Sequence, residues 1–180
     1  RNAKGGLAVD HVLTIADERL NLFAHMANSA CGLSLWCFGL KKQLYTCTCP
    51  AEKEFRLFLD LGQCLDYAIA HGPESHVPIL MSDPIGMLWV AECVWHGDDA
   101  SYLVILGPVF DAAASLQTLQ NCLRGMNLSV SLTATIMEKL EQVPILPLST
   151  LHQYIKMLHW VLYEETLDVG SIRLQNRSNI

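Results

Sequence analysis

Apolar residues recur at spacings of three and four through Val9, Val12, Leu13, Ala16, Leu20, Phe23, Ala24 and Ala27, while Asp10, Asp17, Glu18 and Arg19 fall on the other side. This is the stripe of an amphipathic helix, ended by Cys31-Gly32. The period then changes. Leu33 to Phe38 is an apolar run between two glycines, and Gln43 to Cys49 alternates; with Lys41-Lys42 as the turn, the two predict a hairpin. Pro50 suits the first turn of a second helix, with Glu52 and Glu54 near its positive end. Its apolar side is Phe55, Phe58, Leu61, Leu65, Ala68 and Ile69, and Gly72-Pro73 stops it.

Val77 to Met81 predicts an edge strand, because Pro78 cannot donate to a central ladder. Met87 to Trp95 and Tyr102 to Phe110, joined around Gly97-Asp98-Asp99, predict a second hairpin whose later strand finishes or kinks at Gly107-Pro108. Three helices follow: Ala113 to Arg124, Ser129 to Gln142, and a last one starting at Ser149 as N-cap. The last carries the fullest stripe, from Leu151 through Tyr154, Ile155, Leu158 and Val161 to Leu162. After Asp168 the chain turns polar and reads as a linker. Strands gathered early and helices late predict an α+β fold: a central antiparallel sheet of about five strands with flanking helices.

Composition narrows the function. Of 180 residues, 51% are hydrophobic and 17% charged, which excludes disorder over most of the chain. Twelve Lys and Arg stand against 18 Asp and Glu, a net charge of −6, and Lys41-Lys42 is the one adjacent basic pair. This argues against nucleic-acid binding by the segment itself and against a polybasic membrane anchor. Leu20 to Leu40 carries no formal charge and is long enough to span a bilayer, but Asn21, His25, Asn28, Ser29, Gly32, Ser34 and Gly39 interrupt it; a helix running into a buried strand accounts for it better. Arg1 to Asp10 contains no apolar signal core. Seven cysteines, an odd number, predict reduced thiols in a cytoplasmic protein.

Candidate chemistry is sparse. Cys47-x-Cys49 places two sulfurs on one side of a strand, where they read as half-buried thiols or as a redox or metal-sensing pair; Cys-x-x-Cys and His-x-x-x-His spacings are missing, so no metal site is assigned. His152 and His159 lie two helical turns apart, about 10 Å, too far for one ion, and read as solvated or interfacial. His96 sits at a hairpin end. There is no Gly-x-Ser-x-Gly elbow and no Gly-rich phosphate loop, so no catalytic residue is assigned and no enzyme is expected. Glu92 stands inside an apolar strand, on the face of Leu88, Val90 and Val94, and either binds a polar group in a pocket or faces solvent. Trp36, Phe38, Tyr45, Trp89, Trp95 and Tyr102 fall on predicted strands, as sheet core or as walls of a pocket between sheet and helices. Trp36, Trp89, Glu92 and Tyr102 are the candidate ligand-binding residues.

Several spaced motifs add a resemblance. Ser82-Asp83-Pro84-Ile85-Gly86-Met87-Leu88-Trp89 is followed by Ile105-Leu106-Gly107-Pro108-Val109-Phe110, then Val143-Pro144-Ile145 and Met157-Leu158-His159-Trp160, with Cys49-Pro50 after the first hairpin. Over about residues 10–170 this resembles the N-terminal sensor region of AraC-family transcriptional regulators of the Firmicutes type. The resemblance implies a GAF/PAS-like sensing and dimerisation domain over 1–170 and a linker over 171–180. It implies a small-molecule effector, a homodimer, no cofactor and no membrane. DNA would be bound only through helix-turn-helix units outside these residues. The last helix would carry the signal toward those units.

Overall fold

The computed structural model describes residues 18–175. Val9 to Ala16 of the first predicted stripe, and residues 176–180 of the expected linker, lie outside them. Helix α1 (residues 18–31) stops at Gly32, whose φ of +75° puts it in the left-handed region that favours glycine. Strands β1 (Leu35–Gly39) and β2 (Leu44–Cys47) form the first hairpin, and α2 (Glu52–Leu61) and α3 (Cys64–His71) follow. Next come β3 (Ile79–Ser82), β4 (Leu88–His96) and β5 (Asp99–Val109). Helices α4 (Leu116–Arg124), α5 (Val130–Leu140) and α6 (Leu148–Tyr163) precede a last short strand, β6 (Arg173–Leu174).

The fold is α+β, with a six-stranded sheet in the order β2-β1-β5-β4-β3-β6. Neighbours pair antiparallel except β3 and β6, which are parallel, so the sheet is mixed and not purely antiparallel. Two layers of helix cover it. On one face Trp36, Phe38, Trp89, Ala91, Cys93, Leu103 and Ile105 pack under α2 to α5 through Phe55, Phe58, Leu65, Leu123 and Ile136. On the other, Leu35, Val90, Val94, Tyr102, Val104 and Leu106 meet Leu20, Phe23 and Ala24 of α1 and Leu151, Ile155 and Leu158 of α6. Burial on both faces explains why all five residues of β1 are buried and why its sequence reads as a continuous apolar run.

Four expectations are corrected. The predicted second helix is two helices, because Gly62 packs on the turn after β3: a Cβ there would lie 3.1 Å from the Asp83 Cβ and 3.1 Å from the Pro84 Cδ, and Gln63 then takes a left-handed φ of 57°. β3 is not an edge strand. β6 covers it, with Arg173 N donating to the Pro78 carbonyl and Gln175 N to that of Leu80, each at 3.0 Å. Pro78 therefore needs no N–H; it contributes an acceptor. Ser149 is not the N-cap of α6, since Pro147 holds that position and its carbonyl takes the Leu151 N–H at 3.0 Å. Ser129 does cap α5, its hydroxyl accepting from Leu132 N at 3.2 Å. Finally, residues 171–175, read as the start of a linker, complete a 3-10 turn and join the sheet, so α6 does not itself lead out of the domain.

Candidate functional site

The sheet divides the four residues proposed as one pocket wall. Trp36 and Trp89 lie fully buried on the α2–α5 face; Glu92 and Tyr102 lie buried on the α1/α6 face. Alternation along β4 makes this unavoidable, because residues 89 and 92 differ by an odd number. No single cavity takes all four.

The tryptophans belong instead to a buried joint between two of the motifs that carried the resemblance. Asp83 is 2% exposed. Its Oδ1 accepts the N–H groups of Ile85 and Met87 at 3.1 and 3.0 Å, and its Oδ2 accepts the Trp89 indole N–H at 2.9 Å. Trp89 meets Trp36 edge-to-face with ring centroids 5.8 Å apart, and the Trp36 indole N–H donates to the Gly107 carbonyl at 2.9 Å. Gly107 is required there: a Cβ would stand 2.8 Å from Trp89 Cε3, and its φ is +141°. The Asp-Pro-x-Gly segment and the Gly-Pro strand end are thus one structural device that fixes β4 against β1 and β5.

Glu92 has a partner that the sequence did not suggest. His159 of α6 points into the sheet, only 3% exposed, with Nδ1 2.6 Å from Glu92 Oε2. Its Nε2 lies 3.6 Å from Glu165 Oε2. Burial raises the Glu92 pKa despite His159, and the Glu92 carboxylate raises that of His159. The short contact between them compensates the buried carboxyl in part, while Glu92 Oε1 is buried without a hydrogen-bond partner. Around them, the Tyr163 hydroxyl donates to the Cys93 carbonyl, and the ring of Tyr163 stacks on His76 at 4.9 Å. Burial pushes the Tyr163 hydroxyl well above the usual phenol range. Arg173 of β6 donates to the carbonyls of His71 and Val77 at 2.7 and 2.6 Å. Reading His159 as solvated or interfacial is therefore corrected. The available signal was its place four residues after Ile155, beside Leu158, on the buried side of the stripe.

A small cavity of about 140 Å³ lies where the first and second helices approach the sheet end, lined by Asn28, Ser34, Cys49, Phe55, Gln142 and neighbours. None of the four proposed wall residues reaches it. Cys49 precedes the N-terminus of α2, and the Cys47 thiol, the Ala51 N–H and the Ser34 hydroxyl each favour its thiolate. They hold the Cys49 thiol below its ordinary range, at about 7, against the opposing effect of burial. Donation to Cys49 raises Cys47 in turn. No group of three or more His, Cys, Asp or Glu suited to a metal ion occurs among the described residues.

Outside, α1 and α6 leave a groove of about 430 Å³ between them, lined by Leu22, Phe23, Met26, Met157, Trp160 and Val161, with Arg19, Gln153 and Lys156 at its polar positions. Leu22, Met26 and Trp160 are 62%, 61% and 52% exposed. With Met157 they stand exposed along one surface between the two helices. Among the described residues no helix is long and apolar enough to cross a membrane. No protein-family model, curated protein or solved structure matches the chain.

Proposed function

We propose that this chain is the ligand-sensing and dimerisation domain of an AraC-family bacterial transcriptional regulator, acting in the cytoplasm on DNA through helix-turn-helix units beyond these 180 residues. The observation that carries the reading is the double role of α6. One side of this helix supplies Met157 and Trp160 to the exposed groove, and the other inserts His159 against Glu92 at the centre of the sheet. A change felt in the interior therefore reaches the exposed groove through one rigid element. The groove is the dimer surface, with the α1/α6 rows of one copy meeting the same rows of the other about a two-fold axis. Its floor carries no formal charge; at the rim Arg19 is paired with Glu164 at 2.6 Å, and Lys156 adds a positive charge. Two of the motifs behind the resemblance, the Asp-Pro-x-Gly segment and the Gly-Pro strand end, support the reading too, since they build one shared joint. Effector binding acts by favouring one of two placements of α6 on the sheet.

The test is the oligomeric state. Light scattering should give twice the chain mass for the wild type, and Trp160→Glu should give the monomer mass. The melting temperature of the wild type should rise with protein concentration and that of Trp160→Glu should not, because only the dimer gains stability by association; circular dichroism should show the variant folded. A wild type that stays monomeric at the highest attainable concentration removes the dimer from the reading. A thermal-shift screen of small metabolites tests the effector separately: a stabilising compound whose effect is lost in Glu92→Gln supports transmission through the buried pair.

A further inference from the structure

We propose that Cys49 and Cys47 form a peroxide-oxidised dithiol, with Cys49 as the attacking sulfur at the wall of the cavity between α1 and α2 and Cys47 as the resolving thiol. This stands apart from the Glu92–His159 pair, which lies on the other face of the sheet. Four features of the site argue for it. The sulfur of Cys49 borders a cavity of about 140 Å³, large enough for a small hydroperoxide. Ser34 lines the same cavity, and its hydroxyl and the Ala51 N–H both favour negative charge on the Cys49 sulfur. The second thiol is two residues away and turned toward Cys49, whose backbone N–H donates to Cys47 Sγ at 3.2 Å. Both main-chain and side-chain groups of the intervening Thr48 are tied to Leu35, at 3.0 and 2.9 Å, so the loop that carries the pair is held against β1.

The chemistry balances with hydrogen peroxide as the oxidant. The Cys49 thiolate attacks one peroxide oxygen; an S–O bond forms, the O–O bond breaks and hydroxide leaves, taking a proton to become water. The Cys47 sulfur then attacks the sulfenic sulfur of Cys49; the S–S bond forms and a second water departs. Two thiols are oxidised to one disulfide, and one peroxide is reduced to two waters. The starting thiolate is favoured because the donors beside Cys49 hold its thiol below the ordinary range.

Stoichiometric peroxide added to the reduced protein should remove two thiols and two hydrogens of mass, and peptide mapping should place the bond between Cys47 and Cys49. Cys47→Ser should stop at a sulfenic acid on Cys49 that a cyclic-diketone probe traps. Cys49→Ser should slow thiol loss about tenfold. Circular dichroism checks that both variants fold, and mapping of the wild type serves alone should one not. The proposal is overturned if Cys31 or Cys122 oxidises first, if Cys49 pairs with a second chain, or if peroxide leaves both thiols intact.

Discussion

His159→Leu should destabilise the protein by about 3 kcal/mol, the lower part of the range for breaking a buried ion pair from one side. The substitution leaves Glu92, 1% exposed, without the group 2.6 Å from its Oε2. The loss stays at the low end because burial already favours protonated Glu92, and protonation relieves part of the penalty. Replacing both residues by leucine should recover most of the stability, since an apolar pair does not pay desolvation of the charges. Urea denaturation of wild type, both single variants and the double variant measures the coupling directly. Additive single and double losses would show that the contact contributes nothing.

The same pair sets a pH dependence. A histidine raised above 6.5 on folding binds more protons in the native than in the unfolded state once the pH passes that value. Its contribution is complete below 6.5 and is lost as pH rises through the higher native value. Glu92, also raised, changes in the same direction from 4.5 upward. Cys49, lowered from 9.0 to about 7, works oppositely: its contribution is complete above 9.0 and is lost as pH falls toward 7. The share of the buried pair is therefore the difference between melting temperatures of wild type and the double leucine variant. Wild type should lose its advantage as the pH rises beyond 6.5, and a constant difference across that range would refute the linkage.

Asp83→Ala should cost about 4.5 kcal/mol, because three buried donors lose a charged acceptor at once and each such bond is worth about 1.5 kcal/mol. Asp83→Asn keeps an oxygen for the N–H groups of Ile85 and Met87 and should cost about half as much. Trp89→Phe removes only the indole bond and some packing volume, and should fall between Asn and wild type. Denaturation midpoints rank the series. If Asn proves as damaging as Ala, the charge matters and not the loop geometry.

Much of the fold was legible in the sequence because its signals are local. Periodicity located both hairpins and the helices, and the Gly97 turn was marked by a residue that accepts φ +62°. What stayed hidden depends on distant partners. The break at Gly62 follows from the Asp83–Pro84 turn packed against it. β6 is two residues long, too short for any period, and exists because the β3 edge lies open beside it. The site was less legible still. Glu92 was visible as a misfit in an apolar strand, yet its partner is 67 residues away. Trp36 and Trp89 were read as a wall because aromatics line both cores and pockets, and sequence does not show which face a cavity opens on.

The return of the chain to β3 has a mechanical consequence. A pull applied beyond Gln175 does not peel α6 from its bed. It loads β6 along its length, in shear, against the carbonyls of Pro78 and Leu80, with the guanidinium of Arg173 as the pin that resists sliding. Tension would thus be felt first at the rim of the sheet, next to the turn that Asp83 holds closed.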